Sequence, residues 1–203
     1  MIKNNYPGKF IVIEGLDGSG KSTQVGLLVN FLKKQGKDVL ETKEPTKDSK
    51  AGRIIELALK KEIKMTPAKL QQFFWQDRKK HLKKSVIPAV KKGKFVVCSR
   101  YVFSSFAYGA CEGLNLPDLI EMNKDCLLPD LTVIVDVLPE NCIKRIKNRG
   151  ESKKYFEKLR KLKKVNEFYN KFPAMFKNMK IVDGEKPIPE VFKEIKEAVE
   201  IIF

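Results

Sequence analysis

Phe10-Ile11-Val12-Ile13-Glu14-Gly15-Leu16-Asp17-Gly18-Ser19-Gly20-Lys21-Ser22-Thr23 opens with four apolar residues and closes on a lysine and two hydroxyls, with three glycines between. The apolar run reads as a short buried strand, and a helix is expected through Gln24, Leu27, Leu28 and Phe31. Between them, Gly15, Gly20, Lys21 and Ser22 satisfy G-x-x-x-x-G-K-[ST], the phosphate-binding loop, in the strand-to-helix setting that loop requires. Glycines let the backbone turn its N–H groups inward as a nest for phosphate oxygens, at the positive end of the following helix. Lys21 adds a mobile charge for the outer phosphates, and the Ser22 hydroxyl can ligate Mg²⁺. Gly15, Leu16, Asp17, Gly18, Ser19, Gly20, Lys21, Ser22 and Thr23 are therefore the expected nucleoside triphosphate site.

Working outward, the 203 residues are expected to form one domain, residues 1–203, with a full core. No segment approaches the length of a membrane span. Met1-Ile2-Lys3-Asn4-Asn5 leads so directly into the first strand that no signal peptide is expected. Cys98, Cys111, Cys126 and Cys142 are widely separated and form no C-x-x-C pair, which reads as reduced thiols in a cytoplasmic protein. His81 is the sole histidine, so chemistry built on a histidine base is disfavoured. The formal charge of +16 fits either nucleic-acid binding or a lysine-rich surface that aids solubility and attracts anionic substrates. Lysine pairs such as Lys33-Lys34, Lys60-Lys61 and Lys83-Lys84 are scattered along the expected helices without a repeating aromatic platform. The second reading is favoured, and nucleic acid is not the expected partner.

Strand and helix alternate along the whole chain. Strands are expected at 38–42, 95–98, 131–135 and 181–183 besides the first, with a long helix from the Thr66-Pro67 cap towards Val90 and further helices at about 103–111 and 117–127. Pro139 opens another helix, a basic segment follows from Arg149, and an amphipathic helix after Pro189 closes the chain. Apolar strands alternating with helices imply an α/β fold, a five-stranded parallel sheet flanked by helices. Its ligand should lie beyond the C-terminal ends of the strands.

A phosphate loop does not by itself separate a kinase from a GTPase, a helicase or a transporter ATPase. Three further stretches narrow the choice: Glu44-Pro45-Thr46, the pair Phe74 and Arg78 one helical turn apart, and Ser99-Arg100-Tyr101-Val102-Phe103-Ser104-Ser105-Phe106-Ala107-Tyr108. In this order after Gly15–Thr23, they resemble the thymidylate kinase family, which phosphorylates dTMP to dTDP with ATP. The resemblance covers nearly the whole chain, including Asp136-Val137-Leu138-Pro139-Glu140 and Arg149-Gly150-Glu151. It implies a P-loop nucleoside monophosphate kinase fold, Mg²⁺, a homodimer and a lid at about 149–160.

The resemblance also implies roles. Phe74 would stack on thymine, Arg78 would hydrogen-bond a base carbonyl, and Ser105 would read the pyrimidine edge. Tyr108 would close on the sugar, Asp17 would contact its 3′-hydroxyl, and Glu44 belongs to the same acceptor site. Arg100 would clamp the acceptor phosphate. Without the resemblance, Phe74 could equally be a core aromatic beside Phe73 and Trp75, and Arg78 a solvated cation beside Lys79 and Lys80. Gly18 matches the family's class whose loop carries glycine where others carry arginine and whose lid supplies the cation. Arg149 and Lys154 are then expected to join Lys21 and Arg100 in catalysis, with Lys153 a further lid candidate.

The chain departs from the family in three places. Ser99-Arg100-Tyr101 stands where Asp-Arg-Tyr is usual, Lys43 precedes Glu44-Pro45 where arginine is usual, and Gly109 follows Tyr108 where glutamine is common. With the carboxylate at 99 missing, Glu14 or Asp17 is expected to hold the metal through water, Glu14 being the ligand put forward with Ser22. Two rivals remain open. A deoxyribonucleoside kinase would need a carboxylate near a hydroxyl acceptor, for which Glu44 is the candidate. A P-loop ATPase that binds nucleic acid would use the basic surface.

Overall fold

The sheet runs β2-β3-β1-β4-β5 with every neighbouring pair parallel. The computed structural model describes residues 1–147 and 155–203, with side chains in the second segment described from 159 onward. β1 (Lys9–Gly15) is central, between β3 (Phe95–Ser99) and β4 (Leu131–Asp136), with β2 (Val39–Lys43) and β5 (Met179–Asp183) at the edges. Phe10, Ile11, Val12 and Ile13 are fully buried, as continuous apolar runs demand when helices cover both faces of a parallel sheet.

Right-handed crossovers assign the helices to faces. The β1-to-β2 connection moves one way along the sheet, and the later connections move the other way. Consistent with this, α1 (Lys21–Lys34) packs against α9 (Ile188–Glu200), whereas α5 (Val102–Cys111) packs against α6 (Leu116–Met122) and α8 (Tyr155–Met175). Phe103 and Phe106 of α5 interlock with Phe172 of α8 and Phe176 just beyond it, at centroid separations of 5.1–6.3 Å. Such pairs add about 0.5–1.5 kcal/mol each beyond the area they bury. They fix α8 against the helix that begins beside the phosphate loop.

The expected long helix to Val90 is interrupted. α3 (Pro67–His81) passes into a wide π-helical segment, Leu82–Val86, before α4 (Ile87–Lys91). Pro88 is the physical reason: it cannot donate to the carbonyl four residues back, and its ring would collide there, so a wider turn relieves the contact. The helix expected at 117–127 also stops early, at Met122, and this end carries Asn123 into the site described below. Along the rest of the chain, α2 (Lys50–Leu59) is capped by Ser49 and α3 by Thr66. α7 (Pro139–Lys147) opens at the expected proline. The basic segment after Arg149 was not resolved into elements by the sequence, and most of α8 lies there. Among the described residues no helix is long and apolar enough to cross a membrane.

Candidate active site

The loop after β1 turns through Gly15, Gly18 and Gly20, whose φ angles of 142°, 88° and 92° lie in the region L side chains rarely adopt. Gly18 is constrained twice, since a Cβ there would lie 2.4 Å from the Cys142 carbonyl oxygen on α7. An arginine at this position would have to displace α7. Lys21, at the start of α1, curls back so that Nζ donates to the carbonyls of Gly15 (3.1 Å) and Leu16 (2.5 Å). Burial, together with the nearby Arg100 cation, lowers the Lys21 pKa to about 7. Ser22 and Thr23 stand exposed at the same helix end, where the backbone dipole favours anions.

Arg100 follows β3 and holds a φ of 67°, one of two positive values among the described non-glycine residues. Such a conformation costs roughly 1–3 kcal/mol and persists only where surroundings over-determine it. Here its N–H donates to the Ile13 carbonyl at 3.0 Å, and its guanidinium donates to Ser104 Oγ at 2.9 Å and to Asp17 Oδ1. The guanidinium carbon also lies 5.4 Å from the Tyr108 ring centroid. The third and first strand ends are thereby joined through Arg100 and the phosphate loop.

Glu14, expected to hold the metal through water, is also bonded within the protein. Its Oε1 accepts from the backbone N–H groups of Tyr101 (2.8 Å) and Ser104 (3.1 Å), and its Oε2 from Ser104 Oγ (2.7 Å) and Tyr169 Oη (2.9 Å). Both oxygens of this fully buried carboxylate are committed. It satisfies orphan donors at the N-terminus of α5 from the neighbouring strand. Ser99, at the end of β3, uses its carbonyl to accept from the Glu44 N–H at 3.0 Å. Ser22 does fit Mg²⁺. An exposed hydroxyl beside a phosphate nest suits an ion usually held by one or two protein oxygens, substrate phosphates and water. Among the described residues no cluster of three or more histidine, cysteine or acidic side chains forms an all-protein cage.

Arg78 is neither a solvated cation nor a freely presented one. It is 1% exposed, with Nε donating to Glu44 Oε2 (2.8 Å), Nη1 to Asn123 Oδ1 (2.7 Å) and Nη2 to Ser105 Oγ (3.1 Å). Burial, the largest single influence, works against the cation, but the charge and hydrogen bond of Glu44 together with nearby Cys126 and Tyr101 outweigh it and hold Arg78 above the ordinary arginine value. The other Glu44 oxygen meets His81 Nδ1 at 3.1 Å, and His81 Nε2 meets Thr42 Oγ1 at 2.7 Å. In the Nδ1–H tautomer the ring donates to Glu44 and accepts from the Thr42 hydroxyl. One polar chain thus runs from β2 through α3 to α5 and α6.

A cavity of 440 Å³ opens between these two arginines, within the roughly 300–1,000 Å³ typical of small-molecule sites. Asp17, Glu44, Phe74, Arg78, Arg100, Ser105 and Tyr108 all border it. Every residue that the resemblance assigns to an acceptor nucleotide therefore meets at one space. Arg149, Lys153 and Lys154 lie outside the described residues. Sequence reasoning missed His81, Asn123, Asp77, Ser104 and Tyr169. Asp77 accepts from Thr46 N (2.7 Å), Thr46 Oγ1 (2.6 Å) and Ser49 Oγ, tying the loop after β2 to α3. The spacing of His81 three residues after Arg78 offered a signal, because it sets both on one helix face. Asn123 and Tyr169 offered none, since their partners are 45 and 155 residues away.

The model of the thymidylate kinase family matches residues 13–195. A probable thymidylate kinase of Pyrococcus abyssi is 42% identical over 193 residues, covering 93% of this chain and 94% of that protein. One from Thermococcus onnurineus is 40% identical, covering 94% and 97%, and the thymidylate kinase of Desulfotalea psychrophila is 36% identical, covering 82% and 83%. With the phosphate loop and the arginine-lined cavity in one sheet-end cleft, and with likeness of this extent, the chain belongs to the thymidylate kinase family.

Proposed function

We propose that this protein transfers the γ-phosphoryl group of ATP to dTMP, giving dTDP and ADP. The observation that carries the reading is the 440 Å³ cavity, whose lining runs from Phe74 and Arg78 to Asp17 of the phosphate loop and Arg100. A flat base has an aromatic and a buried guanidinium at one end, and an anionic phosphate has Arg100 at the other. An oxygen of the acceptor phosphate bonds to the γ-phosphorus as the bond to the β–γ bridging oxygen breaks, so no general base is required. Lys21 and the loop N–H groups bind the donor phosphates, Arg100 orients the acceptor, and Tyr108 covers the sugar. Ser22 would hold Mg²⁺, which neutralises charge on the donor phosphates when bound. By resemblance, a cation from Arg149 or Lys154 completes the site in a lid at about 149–160.

The nucleoside kinase reading is disfavoured by Glu44, whose carboxylate is held in an ion pair with Arg78 and bonded to His81, which makes it a poor base for a hydroxyl. We include the homodimer in the proposal, with the exposed Leu57, Leu59 and Ile63 as apolar surface available to a second copy. The deciding assay follows ADP release with Mg-ATP and dTMP, dUMP, UMP, dCMP, AMP or thymidine. Fastest turnover on dTMP with weak turnover on UMP supports the assignment. Turnover on thymidine but not dTMP overturns it.

A further inference from the structure

Among the described residues, one buried polar atom on the wall of the acceptor cavity has no protein partner. Gln71 borders the cavity, is 5% exposed, and its Oε1 makes no hydrogen bond. Its surroundings contrast with the other buried polar side chains there. Arg78, Glu44, Ser105 and Asn123 are bonded to one another. Buried polar atoms are almost always paired, and a leucine would fill the position without the cost of dehydrating an amide. Gly109 of α5 lies beside the carboxamide: a Cβ there would sit in ordinary van der Waals contact with Gln71 Nε2, at 3.4 Å. Gln71, Phe74 and Arg78 follow at i, i+3 and i+7, one face of α3.

We propose that Gln71 is a specificity-determining residue whose carboxamide pairs with the imide edge of the acceptor base. This rests on the reading of the cavity as a pyrimidine nucleotide site. Thymine and uracil present acceptor, donor, acceptor along C4=O, N3–H and C2=O. A guanidinium has five N–H donors, and three of those of Arg78 are engaged by Glu44, Asn123 and Ser105, which leaves donors for one carbonyl. The Gln71 amide supplies the complementary acceptor for N3–H and a donor for the other carbonyl. With Arg78 on the C4 carbonyl, cytosine sets its amino group against the guanidinium and its bare N3 against the Gln71 oxygen, and keeps only the match at C2=O. A site that hydrogen-bonds its substrate rejects analogues lacking the matching group, because its own buried atoms are then left unpaired.

The test replaces the amide by an apolar side chain of similar length, Gln71→Met, and compares dTMP with dCMP. We expect kcat/KM for dTMP to fall about tenfold, mainly through KM. Turnover of dCMP should change little, so that the dTMP/dCMP ratio narrows, and KM for ATP should stay put. The melting temperature should be unchanged or higher, because the variant removes a partnerless polar group. A second measurement leaves the protein intact: dTMP methylated at N3 should lose more affinity in the native protein than in the variant. An unchanged dTMP/dCMP ratio, or equal loss on both acceptors with a lower melting temperature, would reduce Gln71 to packing and overturn the inference alone. If the native protein converts no dTMP, the reading of the site falls and takes this inference with it.

Discussion

The two arginines of the cleft make opposite use of the same side chain. Arg78 is sealed among Glu44, Asn123 and Ser105 at 1% exposure, its plane fixed by three side chains and stacked 5.3 Å from the Tyr101 ring centroid. Arg100 keeps an 18% exposed side chain, a strained backbone, and an ion pair with Asp17, whose own side chain is 59% exposed. In the proposed reading of the cavity, the end that takes the base is built before a ligand arrives and the other end takes the phosphate. The phosphate end holds charge in reserve, with one exposed carboxylate that an incoming phosphate can outcompete. Recognition of a neutral, flat base needs fixed geometry, whereas binding a dianion needs cations whose partners yield.

The difference can be broken first at the wet end. Arg100→Met should lower kcat/KM about 10²–10³-fold, the range found when a preorganised charge-stabilising donor is removed. Thermal melting should fall less than in an Arg78 variant, because Arg100 is partly exposed and its ion pair is with an exposed carboxylate. A melting loss as large as that of an Arg78 variant would mean that Arg100 is structural and the contrast is false.

The dry end should respond in the opposite proportion. Arg78→Met leaves Glu44 buried beside His81 without its cation, and breaking such a pair typically costs about 3–5 kcal/mol. We expect a clear drop in denaturant midpoint, with KM for dTMP raised and KM for ATP nearly unchanged. Equal effects on both substrates would place Arg78 in the fold alone.

The smallest expected effect sharpens the electrostatics of the loop. The Lys21 pKa is lowered to about 7, by burial first and Arg100 second, so part of the ammonium is deprotonated near neutrality. Donor phosphates favour the charged form and raise this pKa in the complex. Binding therefore takes up a proton above pH 7, and affinity for Mg-ATP should weaken as pH rises through about 7 and beyond. Titration calorimetry at pH 8 in buffers of different ionisation enthalpy reads the uptake directly, and Lys21→Met should abolish it. A pH-independent affinity from 6.5 to 8.5 would mean that Lys21 stays fully charged in the free protein.

Much of this was local information. The run Phe10–Thr23 contains its own strand, turn and helix start, since apolar period, glycine freedom and lysine at fixed spacing all act within a few residues. The three central strands were likewise legible, because a strand buried on both faces must be a continuous apolar run. The edge strands β2 and β5 carry exposed charged residues and showed only as short apolar stretches between helices. Phe74 and Arg78 could be paired by helical spacing, although their meeting with Tyr108 and Asp17 could only be expected from resemblance.

The tertiary structure decided what each polar group does. Glu14 is put forward from sequence as holding a metal through water, and only the fold shows that it also caps a helix that starts 88 residues later in the chain (102 − 14). Glu44 reads as an available base, and is consumed by Arg78 and His81. Gln71 reads as one polar residue among several on α3, and only its burial without a partner sets it apart. Backbone conformation follows from neighbours along the chain, so the sequence determined strands, loop and family. Whether a carboxylate or an amide is free depends on donors and acceptors that folding brings from distant segments, and no local pattern encodes that competition.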